Sequence, residues 1–181
     1  MTKIAVIVGS LQKNSFNKKL AKAMEDRAPK GVEFTYVDID LPLFNQDVEM
    51  AEYPARAREM KDLVEAADGV LFVTPEYNRS IPGVLKNTID WLSRPWGTNS
   101  FAGKPVGIVG VSPTPVGTAT AQAHLRTIAA FLDMKQMGQP EIYVVATPET
   151  FDADGTLADE RWGKNLAAYM EKFAAWVKDE K

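Results

Sequence analysis

Four short apolar runs set the limits on this chain: Ile4-Ala-Val-Ile-Val8, Val70-Leu-Phe-Val73, Val106-Gly-Ile-Val-Gly-Val111 and Ile142-Tyr-Val-Val145. Each is short and rich in β-branched residues, so each reads as a strand buried on both faces. A fifth run, Glu33 to Val37, is more polar and belongs nearer a sheet edge. Helical periods fill the gaps. Phe16, Leu20 and Met24 recur every four residues, which predicts a helix over 15–28, stopped by Pro29-Lys-Gly31. Met60, Leu63, Val64 and Ala67 mark a second helix. Leu85, Thr88, Ile89 and Leu92 mark a third, with Pro82 suited to its first turn. Ala121, Leu125, Ile128 and Leu132 line a fourth. Trp162, Leu166, Tyr169, Phe173 and Val177 line the last. Residues 38–53 read as a long acidic loop.

Strands that alternate with helices imply a parallel sheet covered on both faces. Right-handed crossovers then leave few topologies. At this length the expected fold is a flavodoxin-like α/β three-layer sandwich, with five parallel strands in the order 2-1-3-4-5. No repeat or linker divides the chain, so residues 1–181 are expected to form one domain.

Composition narrows the chemistry. There is no cysteine, which excludes thiolate metal sites and Cys nucleophiles, and one histidine, which excludes a multi-His metal site. A net charge of −3 argues against a phosphate-backbone partner, so no nucleic acid is expected. No signal-peptide pattern and no apolar run near ~18 residues is present, so a cytoplasmic protein without a membrane partner is expected.

In open α/β sheets ligands bind at the carboxyl ends of the strands. Three loops at that edge are unusual. Gly9-Ser-Leu-Gln-Lys-Asn-Ser-Phe-Asn17 begins with a residue free to turn sharply and offers Ser10, Ser15 and Asn17 as uncharged donors. With the helix end near Ser15 it suits a phosphate, although it is neither G-x-G-x-x-G nor a Walker A loop. A plain turn capped by Ser15 explains the same residues. Thr74-Pro-Glu-Tyr-Asn-Arg-Ser-Ile-Pro-Gly83 reads as a rigid wall for a planar polar ligand, with backbone groups for the ring edge. Tyr77 either stacks on that ligand or packs into the core. Glu76 is a candidate base, against the commoner fate of an exposed, solvated Glu. Val111-Ser-Pro-Thr-Pro-Val-Gly117 is the third loop. His124 has no acidic or Ser partner at triad-like spacing, so packing is expected. Lys18, Lys19 and Lys22 read as a solvated helix face. Arg94, between Trp91 and Trp96, either packs or attracts an anion near the open edge.

Two segments carry a resemblance. Gly9-Ser-Leu-x-x-x-Ser-Phe-Asn-x-x-Leu-Ala21 and Thr74-Pro-Glu-Tyr-Asn-x-Ser-Ile-Pro-Gly-x-Leu-Lys-Asn-x-Ile-Asp-Trp91 resemble the two signatures of the NADPH-dependent FMN reductases. The likeness extends through Phe101-Ala-Gly-Lys-Pro105 and Ala121-Gln-x-His-Leu-Arg126. That family is flavodoxin-like and includes quinone, azo and chromate reductases. The resemblance implies non-covalent FMN, with its phosphate against Ser10, Gln12, Ser15, Phe16 and Asn17. It places the isoalloxazine ring against Pro75, Glu76, Tyr77, Asn78 and Ser80, with the loop at Ser112 closing the other side. It implies a homodimer or homotetramer with the flavin near the interface, where Arg94 and Asn78 would help bind NAD(P)H or an anionic acceptor. Gln12 stands where the family usually carries Arg, and Thr120 takes the place of the Arg before Ala-Gln.

The missing triad and metal site then follow, because a flavin does the redox chemistry and the protein supplies binding and electrostatics. The expected activity is two-electron, ping-pong hydride transfer from NADPH or NADH to quinones or similar acceptors: azo compounds, chromate or free flavin. The rival readings are a non-enzymatic, flavodoxin-like electron carrier and a flavin-free binding module.

Overall fold

The computed structural model describes residues 1–180. Its sheet is built from β1 (Thr2–Val8), β2 (Val32–Tyr36), β3 (Gly69–Val73), β4 (Pro105–Ser112), β5 (Lys135–Gln136) and β6 (Ile142–Val145). All neighbours pair in parallel, in the order β2-β1-β3-β4-β5, with β6 also on β4. The expected flavodoxin-like order is therefore the observed one. The fifth position differs in detail, because it is split between two segments. Pro105 and Val106 pair with β5, and Val109 to Ser112 pair with β6. Between them lies Met137-Gly-Gln-Pro-Glu141, where Pro140 has no N–H to give to a ladder.

The helices are α1 (Phe16–Glu25), α2 (Gln46–Ala51), α3 (Ala55–Ala66), α4 (Gly83–Leu92), α5 (Ala119–Phe131) and α6 (Glu160–Asp179). α1 and α6 cover one face of the sheet; α3, α4 and α5 cover the other. Side chains along β1 show why both faces need cover. Ile4, Val6 and Val8 enter the first core cluster, whereas Ala5 and Ile7 enter the second. β3 and β4 are buried along their whole length, and β2 is the half-exposed edge that its polar residues require.

Residues 38–53 are not wholly loop. Asn45 accepts a hydrogen bond from the Asp47 N–H at 2.9 Å and starts the six-residue α2. This segment packs along α4 around Trp91. The Trp91 Nε1–H donates to Pro42 O at 2.7 Å, and the Tyr53 hydroxyl donates to Trp91 O at 2.6 Å. Helix α1 ends at Glu25, short of the expected Ala28, and turns through 26–28 before β2.

Candidate functional site at the carboxyl edge

Gly9 brings two loops together. A Cβ there would stand 3.1 Å from Leu85 Cδ2 and 3.3 Å from Pro75 Cδ, so a larger residue would push the loops after β1 and β3 apart. Past Gly9, Ser10 is buried and Gln12 is exposed. Ser15 is the N-cap of α1, its Oγ accepting from the Asn17 N–H at 3.2 Å. Phe16 lies against Phe151, ring centroids 6.0 Å apart. Among the described residues, no protein acceptor takes the backbone N–H groups of Leu11 to Phe16. These donors, the hydroxyls and the start of a ten-residue helix make an anion cradle. Lys13, Lys18 and Lys19 add positive charge around it. Lys19 is more than a solvated face, since its Nζ lies 5.8 Å from the ring centroids of both Phe16 and Phe151.

Asn17 departs from its expected part. Its buried amide donates to Val111 O at 2.9 Å and accepts from the Val111 N–H at 3.1 Å. It pins α1 to β4, so its side chain positions the cradle instead of donating into it.

The loop after β3 is closed by a tight hairpin turn. Tyr77 and Ser80 exchange both backbone hydrogen bonds, at 2.9 and 3.0 Å. Asn78 and Arg79 sit between them with φ of 52° and 62°, the signature of a type I′ turn. Asparagine tolerates that region; arginine adopts it at a cost of ~1–2 kcal/mol and is held there by neighbours. Tyr77 is 56% exposed, which settles the choice between core packing and the open edge.

Glu76 is neither solvated nor a free base. Its side chain is 5% exposed and its Oε2 accepts from the backbone N–H groups of Thr120 and Ala121, each at 3.0 Å. Its Oε1 accepts from Arg79 at 3.2 Å. Helix α5 needs this, because its own N-cap, Thr118, is left-handed (φ 77°) and makes no side-chain cap bond. A second tie joins the same loop to the same helix: His124 Nδ1 lies 3.0 Å from Ser80 Oγ. His124 thus has the Ser partner that its spacing in sequence concealed. It is exposed, not packed in the core.

After β4, Ser112 is buried and its Oγ accepts from the Thr114 N–H at 3.1 Å, folding Ser112-Pro-Thr114 back on itself. The loop is thus rigid at its base.

Arg94 lies elsewhere. α4 starts at the carboxyl edge and runs away from it for ten residues, about 15 Å at 1.5 Å per residue. Arg94 follows its far end and is held by both oxygens of buried Glu49 on α2, at 3.1 and 2.9 Å. The expected place near the open edge is therefore corrected. A cleft of about 630 Å³ lies at this amino edge, walled by Trp96, Phe131 and Leu132. Beside it, Lys61 Nζ donates to Leu92 O, Thr98 O and Ser100 Oγ at 3.1, 2.6 and 2.7 Å. Burial pushes the pKa of that ammonium below the usual lysine value. Its donors are engaged in tying α3 to α4 and the segment after it.

A parallel sheet of this order, with an anion cradle after β1 and rigid polar loops after β3 and β4, defines a flavodoxin-like mononucleotide-binding protein. The NADPH-dependent FMN reductase family matches residues 2–149, and the chain belongs to that family. It is 50% identical over 180 residues to a 2-hydroxy-1,4-benzoquinone reductase of Burkholderia sp, covering 99% of this chain and 98% of the other. It is 44% identical over 176 residues to a quinone reductase of Pseudomonas putida, covering 97% and 94%. Among solved structures, a flavoenzyme NAD(P)H:(acceptor) oxidoreductase from Paracoccus denitrificans superposes with a TM-score of 0.93 at 41% identity, covering 99% of both chains. The protein is an FMN-dependent oxidoreductase of this family. The cradle fits that cofactor: its unmet N–H groups and neutral hydroxyls suit a phosphate monoester.

Proposed function

We propose that this chain is an NAD(P)H:quinone oxidoreductase that holds FMN across the loops after β1, β3 and β4. The observation that carries the reading is the pair of ties from Glu76 and Ser80 to α5, which keeps one wall rigid beside an open edge. Ser10, Ser15 and the N–H groups of Leu11 to Phe16 hold the phosphate, with Gln12 and Phe16 flanking it. Pro75, Glu76, Tyr77, Asn78 and Ser80 bound one side of the ring, and Ser112 bounds the other. FMN supplies two-electron hydride chemistry when bound. The protein orients it and leaves one face open for a nicotinamide and then a quinone, in turn. Azo compounds, chromate and free flavin are further acceptors of the same class. Residues 1–181 act as one cytoplasmic FMN-binding domain.

Assembly as a homodimer or homotetramer is supported by exposed Leu43, Met50, Trp96 and Phe131, each more than three-quarters exposed. Any contact of Arg94 with NAD(P)H or an anionic acceptor then comes from a second copy, since α4 carries it away from its own edge. Gel filtration showing only a monomer would remove that role. For the activity, stopped-flow mixing of FMN-loaded protein with NADPH or NADH should bleach absorbance near ~450 nm, and a quinone should restore it. Protein that fails to bind FMN, or that bleaches only through a separate reductase, would overturn the reading. A steady-state screen of acceptors with both nicotinamides then ranks the substrates.

A further inference from the structure

Reducing a quinone to a hydroquinone takes a hydride equivalent and a proton. In the reaction proposed above NAD(P)H supplies the first and not the second. The structure places one group suited to the second beside the ring wall. His124 is the chain's single histidine. It lies in the second turn of α5, is exposed, and its Nδ1 is 3.0 Å from Ser80 Oγ. Ser80 closes the tight turn 77–80, and Glu76 holds that same loop against the first turn of α5. An imidazole is the side chain that changes charge near neutral pH, and a hydroxyl both accepts and donates.

The carboxylate on the loop is not an alternative. Both oxygens of Glu76 are engaged, one by two backbone N–H groups and one by Arg79. Charged groups on the surrounding elements pair with one another: Arg79 with Glu76 on the loop, Lys86 with Asp90 on α4 (2.6 Å), and Arg126 on α5 with Glu141 (3.7 Å). None of these pairs uses His124.

We propose that Ser80 and His124 form a proton relay to the electron acceptor. Ser80 Oγ–H gives its proton to the quinone oxygen as the transferred electron pair settles there. Ser80 is resupplied by the Nδ1–H of the imidazolium, and the neutral ring regains one proton from solvent. One hydride and one proton enter the acceptor, and nothing else is consumed. His124 acts through Ser80 and is a positioning and proton-supplying residue; Ser80 is the group that meets the acceptor. The inference rests on the quinone-reductase reading.

The test separates proton supply from support. H124N keeps an amide where Nδ1 lies and can hold Ser80, but it cannot carry the proton; H124A can do neither. In FMN-loaded protein at pH 7, the rate of reoxidation by 1,4-benzoquinone, taken relative to each variant's own NADPH bleaching rate, should fall ~10²-fold in H124N and H124A. The reoxidation rate should fall with rising pH in the unmodified protein and lose that dependence in H124N. S80T should keep reoxidation fast relative to bleaching, and S80A should not. Reoxidation restored by H124N, or both phases slowed in parallel, would reduce the pair to a structural tie. If neither nicotinamide bleaches the unmodified protein, the functional reading fails and the relay with it. Normal bleaching with unchanged reoxidation in every variant refutes the relay alone.

Discussion

The loops after β1 and β3 touch at Gly9 yet are built in opposite ways. The first leaves its backbone donors without protein partners and keeps its middle exposed, with order coming from its ends. Ser15 caps α1, and Asn17 fastens that helix to β4. The third-strand loop satisfies itself. It closes a hairpin turn and ties to α5 through Glu76 and Ser80. The contrast follows from what each must hold. A phosphate needs donors not already paired, whereas a ring edge needs a surface that does not move.

The largest effect should come from releasing the rigid loop. E76A removes a buried, charge-assisted cap and should cost about 2–3 kcal/mol in urea unfolding, with FMN affinity falling in step. E76Q retains an acceptor and should lose less. Equal losses would mean that negative charge, not hydrogen bonding, holds α5. Next comes the anchor of the open loop. N17A strips two hydrogen bonds from the β4 backbone and should cost about 2 kcal/mol. FMN-loaded N17A should still bind the phosphate once stability is restored by excess cofactor; loss of binding at full occupancy of the fold would put the Asn17 amide back in the cradle.

Changing the cradle itself should do less to the fold. Q12R adds a cation at an exposed position and should tighten FMN by several-fold without moving the unfolding midpoint. An unchanged dissociation constant would show that the backbone donors already saturate the phosphate. The smallest effect is expected at an exposed ion pair outside both loops' own hydrogen bonds. Arg56 donates to Asp38, and with a backbone N–H from Asp40 it holds that carboxyl below the usual aspartate range. A lowered carboxyl stabilises the fold above the unfolded value of ~3.9 and loses that contribution as pH falls through the folded value. Both partners are exposed, so D38N should cost under ~1 kcal/mol at pH 7 and flatten only the acid limb of the stability curve.

Much of the fold was legible from period alone. β1, β3, β4 and their flanking helices came from apolar spacing, and that spacing reports burial directly. The turn chemistry of 74–83 and the cap at Ser15 were legible because they are local. What escaped reading depends on residues far apart in the chain. Glu76 reads as a surface acid until its 44-residue reach to Thr120 is known, and Ser80 and His124 are separated by the same interval. Arg94 was misplaced because composition does not tell which end of α4 meets the ligand edge; counting the turns of α4 would have shown it. α2 is too short to leave a period, and the split of the fifth strand had only Gly138 and Pro140 to announce it.

The cap supplied by Glu76 has one more consequence, for how this enzyme can diversify. Helix α5 takes only part of its start from the segment before it: Val116 O accepts from the Ala119 N–H at 3.1 Å, whereas the carboxylate that seats Thr120 and Ala121 arrives from another strand's loop. A change within residues 113–116 therefore leaves two of the helix's first three N–H groups, and the wall braced by the same carboxylate, with their partner.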